Sequence, residues 1–226
     1  MAIRQRAIHS EDKHERHNAI LDATERLLTR APVRVANMAE VADEAGLAKG
    51  TVYLYFPSKD ELLLALHERH VDEFFQALIT LLSREAQVSI GEIMALTQRH
   101  IVERSTFLPL ATRCFSVLET EVTREVARAF KERMAQRLHA ASTGLERHFP
   151  ELPPFGGVPL LRHSYALVVG LWQMTANQQE LAGGACHIDA LDYPTELARA
   201  LGALWNGTMG RPHSSTVVPT LQRTRQ

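Results

Sequence analysis

Between Lys49 and Lys59 the chain reads KGTVYLYFPSK, with no acidic residue, in a sequence of 226 residues whose formal net charge is −1. Lysine, threonine and two tyrosines along one short segment suit the groove of a nucleic acid. Lys49 can donate to guanine O6 and N7, and the Thr51 methyl can pack on a thymine methyl. The hydroxyls of Tyr53 and Tyr55 can donate to phosphate without a charge to desolvate. Gly50 lets the backbone come close. Lys59, at a helix start, sits badly against the dipole, and a phosphate there would compensate it. Other chemistry has less support. His14 and His17, and again His67 and His70, lie three apart on a helix face, as metal ligands can, yet neither pair has further ligands at convincing spacing, and solvated helix histidines explain them. No nucleophile elbow, phosphate loop or HExxH motif is present. The plain alternative is an exposed helix on an all-α enzyme.

The elements that would position these groups follow from spacing. Met38, Val41, Ala42 and Ala45 recur at helical intervals. Asn37 can cap that helix, with Glu40 as reciprocal partner. Gly46 stands where the chain leaves the helix, with positive φ expected. A second helix runs from Lys49 to about Phe56, with Val52 and Phe56 facing the core. Pro57 stops it. Ser58 and Glu61 form another capping pair and open a third helix. Helix, glycine turn and short helix make a helix-turn-helix.

The run AILDATERLL, followed by AEVADEAGLAKGTVYLYFPSKDELL, resembles the DNA-binding domain of the TetR family of transcriptional regulators, from about Ile20 to Leu66. The resemblance is specific over roughly the first third and architectural beyond it. It implies an all-α chain: a three-helix DNA-binding head with a helix-turn-helix, on a helical ligand-binding and dimerisation body. Lys49, Gly50 and Thr51 would then approach the major groove, and Tyr53, Tyr55 and Lys59 would hold phosphates. Tyr53 has a second reading, half-buried against the first helix, and Tyr55 is expected to be the more exposed of the two.

Composition agrees with a sequence-specific binder rather than a polybasic one. Residues 1–70 carry 10 Lys and Arg against 11 Asp and Glu, so positive charge must be arranged by face. Cys114 and Cys186 give neither a disulfide framework nor metal spacing, which suits a reduced, cytoplasmic setting. No signal peptide and no apolar run of about 18 residues is seen, so no membrane partner is expected. No cofactor is implied.

Along the chain, residues 1–10 with Arg4 and Arg6 read as an arm, disordered without DNA or reaching phosphates when bound. The head is expected over 11–58, the body over 59–209, and a disordered tail over 210–226. Helix one runs from about Asp12 to Arg30, with Ile20, Ala23, Leu27 and Leu28 buried. Helices follow over Lys59–Ser83, with a stripe including Phe74, and Ser89–Ser105. Others cover Phe107–Leu118, Glu119–Phe149, Leu160–Leu181 and Tyr193–Met209. Gly, Pro and Ser are absent from Lys59 to Leu82, so that helix can carry a displacement from body to head.

The resemblance also implies a pocket among the middle helices. Its candidate lining is Arg104, Phe107, Cys114, Phe115, Met134, His163, Tyr165 and Trp172, each of which could equally be plain core. Arg104 could pair with a ligand carboxylate or with Glu103. One recognition helix reads few base pairs, so a two-fold dimer on a pseudo-palindromic operator is expected. By resemblance its interface lies on the last two helices, at Leu161, Val168, Leu197, Leu201 and Trp205. The function expected is a double-stranded-DNA-binding regulator, by default a repressor released by a hydrophobic or aromatic small-molecule effector. The rivals are a repressor with a filled core and no effector, and an enzyme.

Overall fold

A computed structural model of the chain describes residues 2–31, 34, 36–181 and 192–210, with side chains outside 2–11, 115–117, 119–120 and 176–181. Cys186 and the expected tail beyond residue 210 lie outside the described residues. The elements are α1 (Ala2–Arg30), α2 (Met38–Ala45), α3 (Lys49–Tyr55), α4 (Lys59–Leu82), α5 (Ile90–Thr97), α6 (Phe107–Thr120), α7 (Arg124–His148), α8 (Gly157–Leu181) and α9 (Tyr193–Met209). Among the described residues there is no strand, and no helix is long and apolar enough to cross a membrane.

Local chemistry sets most boundaries. Asn37 closes a full capping box on α2: its side chain accepts from the amides of Ala39 and Glu40, and Glu40 accepts from the Asn37 amide. Gly46 ends α2 at φ 67°, a left-handed conformation that glycine adopts without strain. Ser58 caps α4 by accepting from the Glu61 amide. Ser89 and Glu92 close a second full box on α5. Thr123 caps α7, which moves its start from the expected Glu119 to Arg124. Pro109 and Pro159 fall in the first turns of α6 and α8, where no intrahelical N–H is required, so neither interrupts its helix. The first helix begins at Ala2, so the residues expected as an arm continue it. The helix expected to Ser105 instead ends at Thr97 and passes into a π-helical turn, Gln98–Val102, closed by the Glu103 amide donating to the Gln98 carbonyl at 2.9 Å.

Two apolar cores result, and α4 belongs to both. Its first turns bury Leu62, Leu63 and Leu66 with Ile20, Val41, Val52 and Phe56 in the head. Its later turns bury Val71, Phe75, Leu78 and Leu82 in the body. Phe75 rather than Phe74 takes the buried position; Phe74 packs half-buried beside it. Leu62 and Leu66 are fully buried, and burying such a side chain stabilises by roughly 1.5–3 kcal/mol. The helix is thus anchored by apolar packing at both ends. The packing of α7 on α4 is close enough that a Cβ at Gly144 would stand 2.7 Å from Leu82 Cβ. Arg137 fastens the same pair of helices, reaching Glu68 at 3.1 Å and Asp72 at 2.9 Å, with Arg133 also on Glu68.

Candidate nucleic-acid interface and ligand cavity

In α3 the inward positions are Val52 and, just past its end, Phe56, both buried among the head residues. Phe56 also lies against the His17 ring, with centroids 4.9 Å apart. Everything on the other side is open. Lys49 and Gly50 are exposed, Tyr53 is 43% exposed and Leu54 84%. The Lys49 ammonium sits over the Tyr53 ring, 5.9 Å from its centroid, so the two present one cationic and aromatic patch. Thr51, Tyr55 and Lys59 are half-buried. Tyr55 packs on the head core, which corrects the expectation that it is the freer tyrosine: one step from Phe56, it shares part of the inward face. Leu54 is an exposed residue of this face that the motif reading does not include. It lies two residues from Val52 and two from Phe56, so helical spacing alone would have turned it outward.

The orientation of α3 depends on α2 and α1. The Leu47 amide donates to the Ala42 carbonyl at 2.9 Å, closing the turn. Arg26 and Arg30 of α1 grip Glu44 of α2 at 2.7 and 2.8 Å. Those hydrogen bonds from Arg30 and Arg26 hold the Glu44 carboxyl down at about 2. The helix-turn-helix is thus fixed to the first helix from outside as well as through its core.

Inside the body lies a cavity of about 540 Å³. Val71, Phe75 and His67 of α4 form one wall, and Ile93, Thr97 and Ile101 around the π-helical turn form another. Phe107 and Cys114 of α6, Phe130 and Met134 of α7, and Tyr165 of α8 enclose it. Such a volume and apolar lining suit a drug-sized ligand. Four of the expected lining residues, Phe107, Cys114, Met134 and Tyr165, meet here. The Phe115 side chain lies outside those described. Three expected residues do not reach the cavity. Arg104 turns to Glu25 and Glu73, at 3.3 and 2.6 Å. His163 points to solvent. Trp172 packs edge-on against Tyr193, centroids 5.4 Å apart, whose hydroxyl donates to the Val168 carbonyl at 2.9 Å.

The five residues expected at a dimer interface need the same correction. Leu161, Val168, Leu197, Leu201 and Trp205 are all buried inside the protomer, and all but Leu197 line the cavity. The Trp205 indole N–H donates to the Ser164 hydroxyl at 2.9 Å, which fixes it inward. An apolar stripe on a helix does not say whether its partner is the same chain or another. What α8 and α9 leave outward is Met174, 57% exposed, with half-buried Leu167, Leu171 and Leu204.

The buried polar groups of the cavity are electrically quiet. Burial pushes the His67 imidazole down to about 4, so it is neutral near pH 7. Its Nε2 stands 3.4 Å from the Tyr165 hydroxyl, whose ionisation burial raises. Burial also pushes the Cys114 thiol up to about 12, which leaves it inert as a nucleophile. Among the described residues no group of three or more His, Cys, Asp or Glu is placed to hold a metal. His67 and His70 both lie against the Phe107 ring, at 5.3 and 6.3 Å between centroids.

Comparison with known proteins places both halves of the chain. Residues 20–66 match the family model for bacterial regulatory proteins of the tetR family, and residues 68–212 match the tetracyclin repressor-like C-terminal domain. The transcriptional repressor KstR of Mycobacterium tuberculosis is 45% identical over 56 residues, 25% of this chain and 26% of that protein. Curated relatives of this kind are matched over less than half of their own length. Among solved structures, a TetR-family regulator from Mesorhizobium loti superimposes with a TM-score of 0.55 at 20% identity, covering 87% of this chain and 96% of that one. The SmeT–triclosan complex does so with a TM-score of 0.51 at 19% identity, covering 89% and 97%. At these identities the structural likeness carries the fold.

Proposed function

The chain belongs to the TetR family of DNA-binding transcriptional regulators, and on that premise we propose that it is a cytoplasmic repressor, a two-fold dimer on a pseudo-palindromic operator, released by a small apolar or aromatic effector. The observation that carries this reading is the span of α4. One end is buried with the helix-turn-helix, and the other forms a wall of the cavity. A molecule that binds one arrangement of that wall better than another must shift the head by as much as its differential affinity. DNA must then weaken effector binding by the same factor. Two recognition helices spaced for successive major grooves, roughly 34–36 Å apart, lose DNA when that spacing changes.

Lys49, Thr51 and Leu54 are assigned to base edges, with Gly50 admitting the backbone. Tyr53, Tyr55 and Lys59 are assigned to phosphates. The dimer would form through the outward faces of α8 and α9 around Met174. A cavity rather than a filled centre favours an effector over constitutive repression. KstR is named a repressor, and SmeT is seen with triclosan, which supports the same mode of action here.

The test is selection of bound duplexes from a random pool, followed by titration of the full chain against a recovered site. A pseudo-palindrome bound by two protomers is expected, and small molecules can then be screened for release. If no sequence is enriched and binding stays weak and salt-sensitive, the α3 face does not read bases and the proposal is wrong.

A further inference from the structure

The hydroxyls on the inner wall of the cavity turn to the protein itself, while the buried His67 Nδ1 has no hydrogen-bond partner among the described residues. The Thr97 hydroxyl donates to the Ile93 carbonyl at 3.1 Å. The Ser164 hydroxyl donates to the Leu160 carbonyl at 2.8 Å while accepting from Trp205. His67 and Tyr165 face each other. No buried side chain of the lining carries a charge near pH 7, so a charged group drawn deep inside would lose its water without a counter-charge.

The cations of the lining are at its edge. Lys131 of α7 and Arg162 of α8 are exposed yet line the same cavity, so they stand at its rim. Neither has an ion-pair partner among the described residues. Carboxylates of the helices beside them are already paired: Glu68 and Asp72 of α4 with Arg133 and Arg137, and Glu132 of α7 with Arg128 at 3.4 Å. Two unpaired cations at the mouth of an apolar, neutral chamber are complementary to one shape of molecule.

Resting on the effector reading above, we propose that the effector is an elongated amphiphilic anion, bound tail-first, with its apolar body in the cavity and its anionic end at the rim against Lys131 and Arg162. The chemistry is that of a carboxylate, or another acidic head, on a hydrocarbon body. His67 and Tyr165 bound the inner space and take no part in neutralising the charge.

Decanoate, 1-decanol and decyltrimethylammonium share one tail and differ in the head. Titrated calorimetrically into the full chain at pH 7.5, below their micelle thresholds, decanoate is expected to bind about ten-fold more tightly than decanol, from two partly exposed charge contacts. The ammonium compound is expected to bind most weakly. Added salt should erode only the decanoate advantage. In the double variant Lys131→Gln, Arg162→Gln, both at exposed positions, decanoate should fall to the decanol level while decanol is unchanged. Equal binding of decanoate and decanol, or a decanoate advantage that survives the double substitution, overturns the anionic end and leaves effector release standing. Binding of none of the three overturns the proposal at its apolar body, and the operator-release screen then judges the effector reading independently.

Discussion

Glu25 Oε1, on the first helix, lies 3.1 Å from His70 Nε2 on the fourth. The same carboxylate takes Arg69 at 2.7 Å and Arg104 at 3.3 Å, and Arg104 reaches on to Glu73 at 2.6 Å. Arg104 follows the π-helical turn whose Ile101 lines the cavity, and His70 stacks on Phe107, which lines it too. One carboxylate of the head is therefore contacted by side chains whose neighbours line the cavity. This gives α4 a second connection to the head beside its own backbone.

Glu25→Gln should loosen that connection. Hydrogen bonds to a charged group contribute roughly 1.5–3 kcal/mol. Arg69 and Arg104 would keep Asp22 and Glu73, so a loss near about 1.5 kcal/mol is expected in urea unfolding at pH 7.5. Hydrogen exchange in the last turns of α1 should quicken. An unchanged midpoint and unchanged exchange would mean that the cluster is a solvated surface network with no hold on the head.

The two lysines of the DNA face should fail differently. Lys49→Ala and Leu54→Ala should each relax the preference for the selected operator over its mismatched versions, by roughly 1–3 kcal/mol for a lost base contact. Leu54 at 84% exposure can be removed without cost to the fold, so its variant reports DNA contact alone. Lys59→Ala should weaken all duplexes alike and lower the salt slope by about one counterion. Identical salt-titrated behaviour of the Lys49 and Lys59 variants would end this division of roles.

Dimerisation is tested on the face that remains free. Met174→Glu places a charge at an exposed apolar position of α8, away from the protomer core. Sedimentation at micromolar concentration should show dimer for the parent chain and a shift towards monomer for the variant, at unchanged thermal stability of the protomer. A parent chain that sediments only as monomer removes the two-fold operator model.

The head was legible because its signals are local. Asn37 with Glu40, Gly46, and the Val52–Phe56 pair each fix a boundary or a face within a few residues, and the structure follows them. The body was legible only as helices. Its apolar stripes predict burial, yet Leu201 and Trp205 turned out to face the protomer's own cavity rather than a partner. Arg104 was read as a pocket residue because Phe107 is near in sequence. Its true partners, Glu25 and Glu73, are 79 and 31 positions away, and only tertiary packing brings them together. The π-helical turn was invisible for a related reason: Ile93, Thr97 and Ile101, four apart, show a spacing that an uninterrupted α-helix would also give.

The buried histidines give the protein a pH dependence of known sign. Burial pushes His67 down to about 4, and burial with the Arg104 charge beside it pushes His70 down to about 2. The Glu25 carboxylate 3.1 Å away pulls the other way, and the lowering of His70 rests on burial and the Arg104 and Arg69 charges outweighing it. Unfolding returns both rings to an ordinary value near 6.5, so below that pH the unfolded chain binds more protons than the folded one. Their contribution is fully present above pH 6.5 and is lost as the pH falls, for His67 towards 4 and for His70 towards 2. Each withheld proton gives a slope of up to about 1.4 kcal/mol per pH unit. Between pH 6.5 and 4.5 the tied carboxylate Glu44 stays ionised and adds little, since its own loss runs from 4.5 down to about 2. Urea unfolding across that upper window therefore isolates the histidines. His67→Asn, which cannot titrate, should lower stability overall and reduce that slope, with the remainder carried by His70 and by His17 and His100, which burial also lowers. A variant that keeps the parent slope would show that His67 is protonated in the folded chain, and the neutral inner wall of the cavity would have to be given up.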